Sequence, residues 1–548
     1  MLQLNPTVGD ILSNANRIIE SVQGIDADII VTPEMSICGY PPRDLLSCTG
    51  FVQACEEAVE QIGQACKEST VIVGHPRLDA GSGRIRNSVT VLHRGEAIAT
   101  CDKQLLPSYD VFDEKRYFEA GEEICTVEIE GETIGIAICE DFWRGLDANA
   151  APTYTCNPVR ALLDAGCTII ISPSASPFVV GKHETHLEYA LDLASEHTLT
   201  IAMCNQVGGN DDLVFDGGSF VVSPNGVLGT LPLFAKGSSV INTEDKPIEF
   251  AIHTCEDEER FNALVLGTKD YFQKTGHDKA LLGLSGGIDS ALVATLAVAA
   301  LGKDAVTGIL MPSRHSSLGS VEDAEQLAIN LGIETVTLPI EHMHVAFERT
   351  ISDSCLEAKG LAEENAQARI RGLLLMSLAN QNGALLLATG NKSELAVGYS
   401  TLYGDMSGAV SVIGDIYKTD VWSLATWINN TFQDCGFAKA PIPDSSISKP
   451  PSAELRPDQL DQDSLPQYDE LDAVLRLHID LDLGVDEVED ELGVSRDFIG
   501  KIIRMVDMSQ FKRDQAAVIL KTSPRTFGRG RRMPIVMQRS WATSRETT

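Results

Sequence analysis

The sequence predicts two successive α/β units. Short β-rich runs alternate with helical stretches over most of the chain, a charged irregular segment interrupts them near residue 250, and a different chemical signature stands on each side of it. At 548 residues the chain exceeds one ordinary domain, and its 43% hydrophobic content is ample for more than one core.

In the first unit, residues 1–243, the expected strands are Asp28–Thr32, Val71–Gly74, Ser88–Leu92, Ile134–Ile138, Thr168–Ser172, Thr200–Cys204 and Ser219–Val222. Three of the segments carry a reactive side chain at the point where sheets of this type place their sites. Asp28-Ile-Ile-Val-Thr-Pro-Glu34 closes an apolar strand on a carboxylate. Lys103 follows Asp102 in a stretch that runs on through Tyr109 to Asp113-Glu114. Ile134-Gly-Ile-Ala-Ile-Cys139-Glu140-Asp141-Phe-Trp delivers a thiol at the exit of a strand, beside two carboxylates. A cation lowers a thiol pKa and stabilises an oxyanion, and a nucleophile needs a proton acceptor in reach, so these residue types together suit covalent catalysis.

The segment 244–260, opening on Thr243-Glu-Asp-Lys-Pro247 and closing on Cys255-Glu-Asp-Glu-Glu-Arg260, reads as a linker. The second unit, residues 261–548, opens on a helix. Lys279-Ala-Leu-Leu-Gly283-Leu284-Ser285-Gly286-Gly287-Ile288-Asp289-Ser290 then runs from an apolar strand through a glycine turn into the charge-free helix Ala291–Leu301. Adjacent glycines turn backbone N–H groups inward, and the helix N-terminus adds positive dipole, which makes an anion cradle. The pattern is neither G-x-x-x-x-G-K-[ST] nor G-x-G-x-x-G. Alternation continues through Ala305–Leu310, Ala324–Leu331, Thr335–Pro339, Ala366–Asn380 and Ala384–Thr389, predicting a doubly wound parallel sheet with its ligand at the strand carboxyl ends. Asn365 and Arg369 share a helix face. Glu394 and Asp289 are carboxylates of the type that holds Mg²⁺ against phosphate oxygens.

A net charge of −35 disfavours nucleic acid and anionic membranes as partners. The longest apolar run, Ala291–Leu301, is shorter than the roughly 18 to 20 residues that span a bilayer. Thirteen cysteines without C-x-x-C or zinc-type spacing, behind an opening Met-Leu-Gln-Leu-Asn-Pro that is no signal peptide, read as reduced thiols in a cytoplasmic protein.

Glu34, Lys103 and Cys139 together resemble the Glu-Lys-Cys triad of the nitrilase family, and Ser285-Gly-Gly-x-Asp-Ser290 resembles the diphosphate loop of the ATP pyrophosphatases. Their order, with Gly39-Tyr-Pro-Pro-Arg-Asp-Leu-Leu46, Ser174-Ala-Ser176-Pro-Phe178, Asn205-Gln-Val-Gly-Gly209 and Leu387-Ala-Thr389-Gly-Asn-Lys-Ser-Glu394, is similar to the glutamine-dependent NAD synthetase family over nearly the whole chain. The resemblance implies a nitrilase-like α-β-β-α sandwich followed by a doubly wound, adenine nucleotide alpha hydrolase-like domain. It implies that Cys139 attacks a carboxamide, Glu34 takes the proton and Lys103 supports the tetrahedral intermediate, with Tyr109, Ser176 and Lys182 holding glutamine. Gly283 to Ser290, Thr389 and Lys418 would contact ATP. Asn365, Glu394, Tyr399, Ser400, Thr401, Leu402 and Lys512 would contact deamido-NAD. Mg²⁺ would sit on Asp289 and Glu394, ammonia would be channelled between the domains, and the chain would form a homo-oligomer. Alternatives are another amidotransferase with pyrophosphatase chemistry, such as GMP or asparagine synthetase, and a regulatory protein built on two inactive enzyme folds.

The family opens with a short first strand, and here only Met1-Leu2 precede Gln3, so either the strand is clipped or the true start lies upstream; a shortened strand is expected to weaken the sheet that positions Glu34. The tail Pro524–Arg532 reads either as part of the family pattern or as a solvated basic terminus.

Overall fold

The computed structural model describes residues 1–146, 154–250, 255–354 and 356–537. The chain divides into two compact units, Met1–Thr254 and Cys255–Thr548. The expected linker, of which residues 251–254 lie outside those described, ends earlier than the charge pattern implies. A helix begins at Glu256, because the acidic run Glu256 to Glu259 fills a first helical turn, where negative charge favours the helix dipole.

The first unit begins β1 (Leu2–Gln3), α1 (Ile11–Val22), β2 (Ile29–Val31), α2 (Phe51–Ala65), β3 (Thr70–Leu78), β4 (Ile85–His93) and β5 (Glu96–Asp102). It continues with β6 (Cys125–Ile129), β7 (Glu132–Ile136), α3 (Glu140–Trp143), α4 (Pro158–Asp164), β8 (Ile169–Ser174) and α5 (Lys182–His197). Last come β9 (Thr200–Asn205), β10 (Val207–Asn210), β11 (Leu213–Asp216), β12 (Phe220–Ser223), β13 (Gly226–Thr230) and β14 (Gly237–Ser238). Two sheets, β2-β3-β4-β5 and β13-β12-β9-β8-β7-β6, form the framework.

Side-chain alternation shows how they pack. Val31, Ile72, Val89 and Val91 share a core with Val127, Ile134, Ile136 and Ile171 of the other sheet. Their strand neighbours Ile30, Val71, Val73 and Leu92 face Ile18, Cys55 and Ile62 of α1 and α2. On the far side Leu162, Leu187 and Ala190 of α4 and α5 pack over the six-stranded sheet. The result is the α-β-β-α sandwich. β1 pairs with β14 in a two-stranded sheet of its own, so its shortness leaves the sheet before Glu34 intact, contrary to expectation.

Cys101 and Cys125 are joined as a disulfide, which corrects the reading of thirteen reduced thiols; Cys355 lies outside the described residues. The pair is 24 positions apart and meets only because the ends of β5 and β6 come together, which sequence spacing does not reveal.

The second unit runs α6 (Glu256–Thr275), β15 (Ala280–Gly283), α7 (Ile288–Leu301), β16 (Val306–Leu310), α8 (Leu318–Leu331), β17 (Glu334–Thr337) and α9 (Glu341–Asp353). There follow α10 (Leu361–Asn382), β18 (Leu385–Ala388), α11 (Lys392–Val397), β19 (Val410–Ser411), α12 (Lys418–Asn430) and, after further helices, β20 (Val518–Ile519). The sheet order β17-β16-β15-β18-β19-β20 is parallel throughout. Ala280 and Leu282 face α7 and α12 while Leu281 faces α9 and α10, so both sides are covered, as a doubly wound sheet requires. Leu471, Val474, Ile499 and Ile503 of the C-terminal helices pack a satellite core with Leu395 and Ala396 of α11. Arg531 is buried there, so the basic tail is packed and not simply solvated. Among the described residues no helix is long and apolar enough to cross a membrane.

Candidate active sites

In the first unit three strand exits converge. Glu34 stands three residues past β2, Lys103 one past β5 and Cys139 three past β7. All three are buried. The Lys103 ammonium donates to Glu34 Oε1 at 2.8 Å and to Glu114 Oε1 at 2.8 Å. Glu34 also accepts from Asn87 Nδ2 at 2.7 Å and from the Ala175 N–H at 3.1 Å, while Tyr40 donates to Glu114 at 2.9 Å. Every carboxylate here is therefore held in a fixed direction.

Cys139 caps α3 with φ +47°, a strained backbone for a residue with a Cβ. Burial and the Glu34 charge push its thiol well above the ordinary range, against the pull of Lys103. Burial opposes the Lys103 charge, yet Glu114 and Glu34 hold the ammonium well above its usual range. Burial raises Glu114 to about 7. The resting site is a protonated thiol beside a permanently charged ammonium. Asp141 ties the pieces together: its carboxylate accepts from the N–H groups of Gln104, Leu105 at 2.7 Å and Ile138 at 3.3 Å, linking the Lys103 loop to the Cys139 turn.

Around this centre Tyr109 donates to Glu140 at 2.9 Å, and Lys182 donates to Ser176 Oγ at 2.8 Å. Asn205 Oδ1 accepts from the Ser176 N–H at 2.9 Å. These three hydrogen bonds hold the polar side chains of Tyr109, Lys182 and Asn205 in fixed positions.

In the second unit a cavity of about 330 Å³ opens at the carboxyl ends of β15, β16 and β18. The glycine loop forms one wall. Gly286 has φ +78°, and a Cβ there would stand 2.1 Å from the Ser320 carbonyl oxygen, so only glycine fits. No side chain caps the N-terminus of α7, which leaves its amides free to meet an anion. Across the cavity Lys418 is ion-paired with Asp289 and lies 3.7 Å from Glu394. Asn391 caps α11 and donates to Asp289 Oδ1 at 2.9 Å, coupling the two halves of the wall. Desolvation and Asp289 push Glu394 up to about 8. Asp461 also lines the cavity, and burial raises its carboxyl as well.

The carbon-nitrogen hydrolase family profile matches residues 1–242, and the NAD synthase profile matches residues 260–516. The glutamine-dependent NAD(+) synthetase of Synechocystis is 43% identical, covering 98% of each chain; that of Thermotoga maritima is 38% identical, covering 98% of this chain and 97% of its own. The chain belongs to the glutamine-dependent NAD(+) synthetase family. A solved family structure, from Acinetobacter baumannii in complex with ADP, superposes with a TM-score of 0.77 at 36% identity, over 98% of this chain and 97% of that one.

As a member of this synthetase family the chain places its expected nucleotide residues in two tiers. Gly283, Leu284, Ser285, Gly287, Ile288, Asp289, Ser290, Thr389, Glu394, Tyr399, Thr401 and Lys418 line the cavity. Gly286 forms the turn behind it. Asn365 stands behind Thr401, accepting its hydroxyl at 2.7 Å, and Arg369 donates to the Leu402 carbonyl at 3.2 Å. Lys512 donates to the carbonyls of Gly398 and Ser400, both at 2.7 Å, so it braces the loop instead of facing the cavity. Ser400 lines a small adjoining pocket.

Sequence reasoning did not single out Glu114, Asp461 or the half-buried Arg371, which lines the cavity and donates to the Met311 carbonyl at 3.2 Å. Glu114 sits among charged neighbours in a polar turn, and nothing local marks it. Its role is visible only through Lys103.

A divalent cation suits the cavity wall. Five carboxylates, Asp289, Glu394, Asp405, Glu454 and Asp461, line it against the three cations Arg371, Lys418 and Lys449, and desolvation together with the Asp289 charge pushes Glu394 upward.

Proposed function

We propose that the chain converts deamido-NAD+, ATP and L-glutamine, with water, to NAD+, AMP, diphosphate and glutamate. The observation that carries the reading is the pairing, in one chain, of a buried thiol–carboxylate–ammonium centre with a glycine-loop cavity rich in carboxylates.

In the first unit the Cys139 sulfur attacks the glutamine carboxamide carbon while Glu34 takes the thiol proton and returns it to the departing nitrogen. Lys103 stays charged throughout and stabilises the oxyanion. Ammonia leaves, and water then cleaves the glutamyl thioester to glutamate with Glu34 again accepting a proton. In the second unit the loop amides and Lys418 take up phosphate charge as the deamido-NAD+ carboxylate attacks the α-phosphorus and diphosphate departs. Asp289 and Glu394 would hold Mg²⁺, which when bound neutralises the leaving diphosphate. Ammonia attacks the resulting acyl adenylate, giving the amide and AMP.

A homo-oligomer and a cytoplasmic setting belong to the same reading. Exposed Leu373 and Met376 on one face of α10 support the first, and the nucleotide substrates support the second. Incubation with amide-¹⁵N-glutamine, ATP and deamido-NAD+ should place the label in NAD+ with one AMP per turnover. Unlabelled product, or no AMP, would overturn the proposal.

A further inference from the structure

His344 lies on α9, one turn before Glu348, and is fully buried. Neither of its ring nitrogens has a hydrogen-bond partner. Burying an imidazole without hydrogen bonds forfeits its hydration with nothing in return, so a group that is neither backbone nor side chain is expected to meet it. Its Nε2 lies 3.8 Å from Glu348 Oε1, too long for a hydrogen bond. Glu363, in the first turn of α10, completes a set whose ligating atoms all lie within 4.8 Å of one another. Such a spread closes onto a common ion, at bonds of about 2.0–2.2 Å, with small side-chain rotations.

Charge supports the same conclusion. Arg314 holds Glu348 at 2.9 Å and Glu341 at 2.8 Å, so its one positive charge is already shared between two carboxylates, and Glu363 adds a further negative group beside Glu348 and His344. Arg314 also fixes the direction of the Glu348 carboxylate, as hydrogen-bonded outer groups do for metal ligands. An imidazole with two carboxylates is a borderline donor set, suited to zinc and its neighbours and poorly suited to magnesium or calcium, which favour oxygen alone. Both glutamates are half-buried, leaving a solvent-facing side for a water ligand.

We propose that His344, Glu348 and Glu363 form a zinc-type metal site that clamps the start of α10 to α9. The site lies outside the nucleotide cavity, but α10 carries Arg371 and Gly372 into the cavity wall, so an ion here orders that wall without touching substrate.

The test uses full-length protein stripped with chelator and titrated calorimetrically with Zn²⁺ in excess Mg²⁺, which saturates oxygen-only sites. Wild type should bind one equivalent more than His344→Gln or Glu363→Gln, or bind that equivalent at least tenfold more tightly. Zn²⁺ should raise the Tm of wild type and not of the variants. Free thiols are the same in all three proteins, so their contribution cancels. Should His344→Gln fail to fold, Glu363→Gln with an intact circular dichroism spectrum decides alone. Equal zinc stoichiometry in wild type and the folded variants, or a Tm increment that survives the substitution, would overturn the site.

Discussion

Cys139 waits as a thiol because burial and Glu34 both oppose its anion, so its activation is tied to the arrival of a substrate whose attack consumes the proton. Lys103 needs two carboxylates to stay charged in that setting, and Glu114 is the one that sequence reading passed over. Glu114→Gln should lower glutamine-driven kcat by about 10²-fold or more and leave ammonium-driven synthesis unchanged. Because Glu114 is raised to about 7, the wild-type glutamine-driven rate should climb with pH through that region, and the variant should lose the step; a pH profile of both proteins checks it. Glu394 gives a second dependence. Its folded-state pKa is raised from 4.5 to about 8, so the folded chain binds the extra proton and its stability falls as pH rises between those values. A cation must displace that proton. Mg²⁺ binding should therefore release protons and tighten by up to about tenfold per pH unit below 8, measurable by calorimetry in buffers of different ionisation heat.

The elements matter through where they end. Between β15 and α7 the backbone must pass Ser320 at a distance that admits no Cβ, and Gly286 meets that demand in a left-handed conformation. Gly286→Ala should cost about 1–2 kcal/mol from backbone strain alone, more from the clash, and should weaken ATP binding; a lowered Tm with raised KM for ATP would show it. In the first unit Asp141 does the comparable work by tying the loop after β5 to the turn after β7. The fragment Cys-Glu-Asp marks this carboxylate in the sequence as a neighbour of the nucleophile, but only the folded chain shows which N–H groups it holds.

Across the whole molecule the chemistry divides between two units, each with its own core. Cys139→Ala should abolish synthesis from glutamine and preserve synthesis from ammonium salts, whereas Asp289→Ala should abolish both. Loss of ammonium-driven synthesis in the Cys139 variant would show that the nitrogen-releasing and adenylating steps cannot be separated.

Local patterns were enough for the two-unit α/β organisation, the glycine loop and the strand-end residues Glu34, Lys103 and Cys139. Glycine pairs, apolar runs and the residue leaving a strand are constraints that neighbours in the chain impose on one another. Tertiary structure decided the rest: Glu114 beside Lys103, Lys418 against Asp289, Lys512 bracing a loop, and the Cys101–Cys125 bond. Each of those pairings joins residues separated by 11 to 129 positions, and their energies come from burial and charge that exist only once sheets and helices have closed around them.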